Sequence, residues 1–284
     1  MEPLSLGHLA VWRHTPAQGT PKARVLLIHG ICEHSGRHMP TVQALNATGV
    51  EVVRFDLRGS GLSGGLRQYI EQFDDYVADV VRVYNWIGSD LPPCPLFVMG
   101  HSMGGAIALH FASQYTTLFH GLILSAPGYL TGAGISPLKI AVGRVVCKFL
   151  PKLRIQAGDP TNLSRDPEVV RAYSEDTLAS HFNTLRQGEK VLNAFTEIPA
   201  RCKQVRNPTL IVHGTSDKVI LPAGSFTVLQ ALASPSKELH YLPGVYHEPH
   251  LDLEREKYFG LLTRWVEQHT PARRAGDRAT SIRT

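Results

Sequence analysis

The sequence lacks any long uninterrupted apolar stretch. No run approaches the roughly 20 apolar residues that a helix needs to cross a bilayer, although 43% of the 284 residues are hydrophobic. The segment from Met1 to Pro16 also lacks the continuous apolar core of a signal peptide. These absences argue against an integral membrane protein, and we expect a soluble, cytoplasmic one.

Cysteine is scarce, and its spacing carries no metal or disulfide signature. The chain has four cysteines and no C-x-x-C pair: Cys32, Cys94, Cys147 and Cys202. His247 and His250 lie in H-E-P-H, which lacks the helical spacing of a zinc-binding H-E-x-x-H. We therefore expect reduced thiols, no metal ion and no other cofactor.

The excess of positive charge is concentrated in one place. The formal net charge is +5, and residues 271–284 hold four arginines with almost no large apolar side chain. Such a composition predicts a disordered basic tail. The rest of the chain is close to neutral, so no nucleic-acid partner is expected. The sequence leaves the oligomeric state open.

Six short β-rich runs alternate with helical patterns, which predicts an α/β fold with a mostly parallel sheet flanked by helices. Several runs are apolar on both faces, as buried parallel strands must be. Functional residues should then follow the carboxyl ends of the strands. The predicted strands are Arg24–Ile28, Val50–Phe55, Leu96–Met99, Gly121–Ser125, Thr209–His213 and Glu238–Leu242.

The alternation stops between Pro127 and Pro208, where helical patterns occur without a convincing strand. We interpret residues 128–207 as a helical cap inserted between two core segments, 1–127 and 208–270. Helices are predicted at Lys139–Leu150, Asp166–Leu178 and Gly188–Phe195. The first should have Ile140, Val142, Val145, Val146 and Phe149 on its apolar side.

Two serines lie in G-x-S-x-G motifs, which mark a strained turn that raises a nucleophile between a strand and a helix. Ser102 follows the run Leu96–Met99 and precedes a helical pattern, Ala106–Gln114. Ser63 lies in a glycine-rich run without these neighbours. Ser102 is therefore the predicted nucleophile, and Ser63 a turn residue in a flexible loop beside the site.

A serine hydroxyl needs a base to accept its proton and an acid to orient that base. In hydrolases with this turn the acid and then the histidine follow the serine along the chain. Asp217 follows the run Thr209–His213, and we predict that it is the acid. His247 follows the last strand and is the predicted base, with His250 as a rival.

The oxyanion of the tetrahedral intermediate needs two backbone N–H donors. One comes from the residue after the nucleophile, Met103, and the other from a loop after an early strand. The turn His29-Gly30-Ile31-Cys32 follows such a strand, so Ile31 is the predicted second donor.

These residues lie in motifs through which the chain resembles monoacylglycerol lipases and their lysophospholipase-like relatives within the α/β-hydrolases. The resemblance covers nearly the whole chain and implies the α/β-hydrolase fold. It also implies the same triad, Ser102, Asp217 and His247, and the same oxyanion donors. The motifs are H-G-I-C-E-H-S-G-R from His29, F-D-L-R-G-S-G-L-S-G from Phe55, G-H-S-M-G-G from Gly100, L-S-R-D-P from Leu163, H-G-T-S-D from His213, and Tyr246-His247.

The resemblance further implies a glycerol head group bound by Arg37, Tyr173 and His250. It implies an apolar acyl tunnel under a cap whose outer face touches membrane, with basic residues available for that contact. Ile31 and Cys32 depart from the smaller residues common in the family, so acyl and alcohol preference can differ. The basic residues are Lys139, Arg144, Lys148, Lys152 and Arg154.

The expected reaction is hydrolysis of a monoacylglycerol to fatty acid and glycerol through an acyl-enzyme on Ser102. Three alternatives stay open: a broad carboxylesterase or lysophospholipase, an acyltransferase with the same triad, and a binding module that reuses the fold. Dehalogenase and epoxide hydrolase activities are excluded, because their elbow nucleophile is an aspartate.

Overall fold

A computed structural model describes residues 2–17, 19–132 and 137–271. Its main sheet has eight strands: β1 (Leu4–Leu6), β2 (Leu9–His14), β3 (Ala23–Ile28), β4 (Val50–Phe55), β5 (Leu96–His101), β6 (Gly121–Ser125), β9 (Thr209–Gly214) and β10 (Lys237–Leu242). Their order across the sheet is β1-β2-β4-β3-β5-β6-β9-β10. Six strands are parallel, and β1 and β2 are antiparallel at one side of the sheet.

Helices cover both faces of the sheet and bury two apolar cores. Along β3, Leu26 and Ile28 belong to one core, while Val25 and Leu27 belong to the other. This alternation explains why the strands are apolar on both sides. The helices are α1 (Met39–Ala47), α2 (Asp74–Asp90), α3 (Met103–Gln114), α4 (Pro137–Phe149), α5 (Pro167–Glu175), α6 (Leu185–Cys202), α7 (Pro222–Ala231) and α8 (Arg255–His269).

The six strands predicted from the sequence are confirmed, each to within two residues at either end. The antiparallel strands β1 and β2 were not predicted. The prediction that residues 128–207 contain no strand is wrong, because β7 (Arg154–Gln156) and β8 (Phe182–Thr184) form a two-stranded antiparallel ladder there. Three-residue strands are too short to leave a periodic signal.

The segment 128–207, which we call the cap segment, contains α4, α5 and α6. Helix α6 begins before the predicted Gly188 and continues past Phe195 to Cys202. Its buried residues Val191, Phe195 and Ile198 belong to the same core as α3. Helix α6 therefore packs the cap segment against the sheet layer. The division of the chain into a core and a cap remains a prediction.

The apolar side predicted for α4 is largely exposed. Val142, Val145 and Phe149 are 54%, 57% and 79% exposed, whereas Cys147 is buried. The helix packs against α6, so only a narrow side of it is covered and the remaining apolar residues face outward.

None of the described helices is long and apolar enough to cross a membrane. The predicted basic tail lies outside the described residues, except for Pro271.

Candidate active site

Ser102 lies on a sharp turn between β5 and α3. Its backbone is left-handed, with φ 53° and ψ −122°, a conformation that costs energy for a non-glycine residue. The neighbouring glycines make the turn possible. A Cβ at Gly100 would collide with the carbonyl of Gly104, and one at Gly104 would collide with the carbonyls of Ile28 and His29.

Three side chains from separate strand ends meet at this turn. The Nε2 atom of His247 lies 2.9 Å from the hydroxyl oxygen of Ser102, and its Nδ1 atom lies 2.7 Å from Oδ2 of Asp217. Asp217 follows β9 and His247 follows β10, and all three residues are buried. With Nδ1 donating to the carboxylate, Nε2 is free to accept the serine proton.

The charges of this group support that direction of proton transfer. Burial would raise the pKa of Asp217, but the charge of His247 and hydrogen bonds from His213 and His247 hold it below its usual value. Burial would lower the pKa of His247, but contact with Asp217 raises it. Asp217 is therefore ionised at neutral pH, and His247 is a stronger base than a free histidine.

The two predicted oxyanion donors flank the serine. Ile31 and Met103 line the same cavity as Ser102. Met103 begins α3, and the first N–H groups of a helix have no partner within it. The Gly30 backbone abuts the nucleophile, since a Cβ there would lie 3.2 Å from Cβ of Ser102.

A cavity of about 530 Å³ opens over Ser102 between the strand ends and the cap segment. Most of its lining is apolar, which suits a hydrocarbon chain. The polar groups Tyr173 and Glu248 line it together with His247. The apolar lining includes Ile140, Ile155, Leu163, Leu185, Val191, Leu192, Phe195, Val219 and Ile220.

Residues 19–254 match the protein family described as serine aminopeptidase, S33. The chain belongs to this family. It is 34% identical over 251 residues to a monoacylglycerol lipase of Mycolicibacterium smegmatis, covering 88% of this chain and 89% of that protein. It is 30% identical over 268 residues to the human monoglyceride lipase, covering 93% of this chain and 88% of that one.

Solved structures agree with this membership. The crystal structure of the Paleococcus ferrophilus monoacylglycerol lipase superposes with a TM-score of 0.83 at 27% identity, over 92% of this chain and 99% of that one. The fold of this S33-family chain is therefore the α/β-hydrolase fold.

The structure separates the residues expected at the head group. Tyr173 lines the cavity. Arg37 is not among the residues that line the cavity. Its guanidinium lies 4.8 Å from the centroid of the Tyr173 ring and 2.6 Å from Oε2 of Glu248. Glu248, which sequence reasoning did not select, is one of the acidic residues that line the cavity; its position next to His247 was the available signal.

His250 does not lie in the cavity, contrary to expectation. It is fully buried, its ring stacks on His38 at 4.2 Å, and it packs edge-on against His101. Neither of its ring nitrogens has a hydrogen-bond partner. His250 is only three residues from His247 in sequence. Its side chain points into the protein because His250 lies in a short 3-10 helix, Pro249–Leu251.

Ser63, the serine of the second G-x-S-x-G motif, is held in place by hydrogen bonds to the backbone. The Ser63 hydroxyl donates to the carbonyl of Asp56 at 2.5 Å and accepts from the Ala10 N–H at 2.9 Å. It is buried, so it fastens this loop to β2, and the expectation of a flexible loop is not met at this residue.

His213 is a partner of Asp217 that sequence reasoning missed. Its Nε2 lies 2.9 Å from Oδ2 of Asp217 and 3.1 Å from the Ile220 carbonyl, while Nδ1 lies 2.6 Å from the Ser225 hydroxyl. Because both neighbours of Nε2 are acceptors, this nitrogen carries the proton. The signal was the spacing H-G-x-x-D at the end of a strand.

Glu33, His38 and His250 bring metal-ligating atoms within 4.8 Å of one another. The two imidazole rings are stacked and inclined by only 12°. A metal ion must lie in the plane of each imidazole that binds it, and nearly parallel stacked planes do not converge on one ion. Arg37 also faces Glu33, so this cluster does not fit a metal site.

Proposed function

We propose that this protein is a carboxylic ester hydrolase that cleaves monoacylglycerols to fatty acid and glycerol. The hydrogen-bonded chain Ser102–His247–Asp217 beneath a mostly apolar cavity carries the proposal. The names of the relatives from M. smegmatis and human support the substrate class.

In the proposed mechanism, His247 accepts the Ser102 proton as the hydroxyl attacks the ester carbonyl. The N–H groups of Ile31 and Met103 stabilise the oxyanion, and His247 then returns the proton to the leaving glycerol oxygen. Water, activated by the same histidine, hydrolyses the acyl-enzyme and releases the fatty acid. These steps use only the residues of this chain and water.

The head group would contact Tyr173 and Glu248. The Tyr173 hydroxyl lies 3.2 Å from the Ser180 carbonyl, to which it can donate, so its oxygen remains able to accept from a substrate hydroxyl. Arg37 acts through its ion pair with Glu248.

The test compares kcat/KM for monooleoylglycerol, oleoyl-lysophosphatidylcholine, a 4-nitrophenyl ester and an alanine 4-nitroanilide. We expect monooleoylglycerol to be preferred and Ser102→Ala to lose at least a thousandfold. Ser63→Ala is the matched control and should retain activity per folded molecule.

Turnover of the nitrophenyl ester alone would refute the substrate class. Turnover of the anilide would indicate a peptidase. Added glycerol that yields new esters would indicate an acyltransferase.

We also propose that the outer side of α4 contacts lipid. Leu138, Val142, Val145 and Phe149 repeat at helical spacing and are 54% to 79% exposed, and Lys148 and Lys152 lie near them in sequence. Arg144 does not belong to this side, because it lines the cavity and binds Asn193.

The variant Val145→Glu/Phe149→Glu tests this contact. It should lose co-sedimentation with anionic vesicles while hydrolysing the nitrophenyl ester normally, and undiminished co-sedimentation would refute the contact.

A further inference from the structure

The turn after β3 carries Ile31, whose N–H is the proposed second oxyanion donor. The peptide between Gly30 and Ile31 is planar, with its carbonyl and its N–H on opposite sides. A group that fixes the direction of the Gly30 carbonyl therefore also fixes the direction of the Ile31 N–H.

His29 holds that carbonyl. Its Nδ1 lies 2.7 Å from the Gly30 oxygen, and its Nε2 accepts from the Leu57 N–H at 3.0 Å. A backbone N–H can only donate, so the ring proton must be on Nδ1. The ring is fully buried, and burial lowers the pKa of His29. The neutral ring has one possible tautomer, which donates to Gly30.

Glu33 holds the preceding peptide. The Gly30 N–H donates to Oε1 of Glu33 at 2.5 Å, and His38 Nε2 lies 3.2 Å from the same oxygen. Burial would raise the pKa of Glu33, but the charge and hydrogen bond of His38 lower it, so the carboxylate is ionised. A Cβ on Gly30 would lie 2.8 Å from Oε1, so a larger residue at this position would displace the Glu33 carboxylate.

We propose that His29 and Glu33 are positioning residues that aim the Ile31 N–H at the oxyanion formed on Ser102. They fix the peptide groups on the two sides of Gly30. His29 does not line the cavity, so it acts only through the backbone. This inference rests on the proposed function, because it assumes an oxyanion at Ser102.

The test uses Glu33→Gln, Glu33→Met and His29→Phe, with active sites counted by a fluorophosphonate. Two quantities are measured: kcat and KM for monooleoylglycerol, and Ki of an oleyl trifluoromethyl ketone, which forms a tetrahedral oxyanion adduct with the serine. The Ki is obtained by competition with fluorophosphonate labelling, so it requires no substrate turnover. His110→Phe is the matched control, because this buried histidine has its ring hydrogen bond at the Ala194 carbonyl.

We expect Glu33→Met and His29→Phe to lower kcat at least tenfold and to raise Ki by a similar factor, with KM within threefold of wild type. Glu33→Gln, which keeps an acceptor oxygen, should recover part of both losses, and His110→Phe should change neither. In His29→Phe the acidic limb of the pH profile should stay in place, whereas in the two Glu33 variants it should move to lower pH, because the charge of Glu33 contributes to the raised pKa of His247.

An unchanged Ki in folded Glu33→Met would overturn the proposal, as would an equal rise in His110→Phe. If His29→Phe does not fold, the two Glu33 variants decide. If the wild type binds the ketone but does not hydrolyse monooleoylglycerol, the proposed substrate is wrong, and the Ki series still tests the positioning.

Discussion

At the scale of single residues, the pH dependence of kcat/KM should report the pairing of His247 with Asp217. The base works only when neutral, and its pKa lies above the usual histidine value. Activity should therefore fall as the pH drops through a midpoint above about 6.5. In Asp217→Asn the cause of the raised pKa is removed, so the midpoint should move to lower pH while kcat falls about 10⁴-fold. A pH–rate profile of both proteins is the measurement, and a midpoint that does not move would contradict the assignment.

Residue types and spacing were enough to predict that Ser102, Asp217 and His247 meet, because the strand ends bring them together. They were not enough to place His250. Its position three residues after His247 favoured a place beside the base. The direction in which a side chain leaves a turn depends on packing, however, and His250 packs against His38 and His101. His213 was overlooked for the same reason: a buried partner of Asp217 looks in sequence like an ordinary strand residue.

At the scale of elements, the turn between β5 and α3 depends on backbone contacts that no side chain can share. Gly104→Ala places a methyl against the carbonyls at the end of β3, so we expect loss of activity and a large drop in the melting temperature. Gly260→Ala in α8 is the matched control. Only the end of Arg264 lies near it, at 3.9 Å, and it should stabilise the protein by about 0.5 to 1 kcal/mol. Thermal unfolding of both variants tests this, and equal effects would contradict it.

The parallel strands could be predicted because two covered faces leave a continuous apolar run. The strands β1, β7 and β8 could not, since each has only three residues, and β2 could not because it is an antiparallel strand outside the alternation of strands and helices. The exposure of the apolar side of α4 could not be predicted either, because an apolar stripe shows that a helix has two sides without showing which side is covered.

At the scale of the whole molecule, the cavity lies between the strand ends and the cap segment, and we expect its size to limit the length of the acyl chain that binds. Leu192 lies on α6 and lines it. In Leu192→Trp the larger ring should occupy part of the roughly 530 Å³, so kcat/KM for monooleoylglycerol should fall at least tenfold more than that for monooctanoylglycerol. A chain-length series measures this, and Leu192→Met serves as the size-matched control. Equal losses for both chain lengths would place the acyl group elsewhere.

The surroundings of Asp217 have a consequence for the energetics of the reaction. One carboxylate oxygen accepts from His213 and His247, and the other accepts from the backbone N–H groups of Val219 and Ile220. Every donor is thus in place before the imidazole becomes charged. The dipoles around the acid need not rotate during proton transfer, so the reorganisation energy that water would demand is removed when the chain folds.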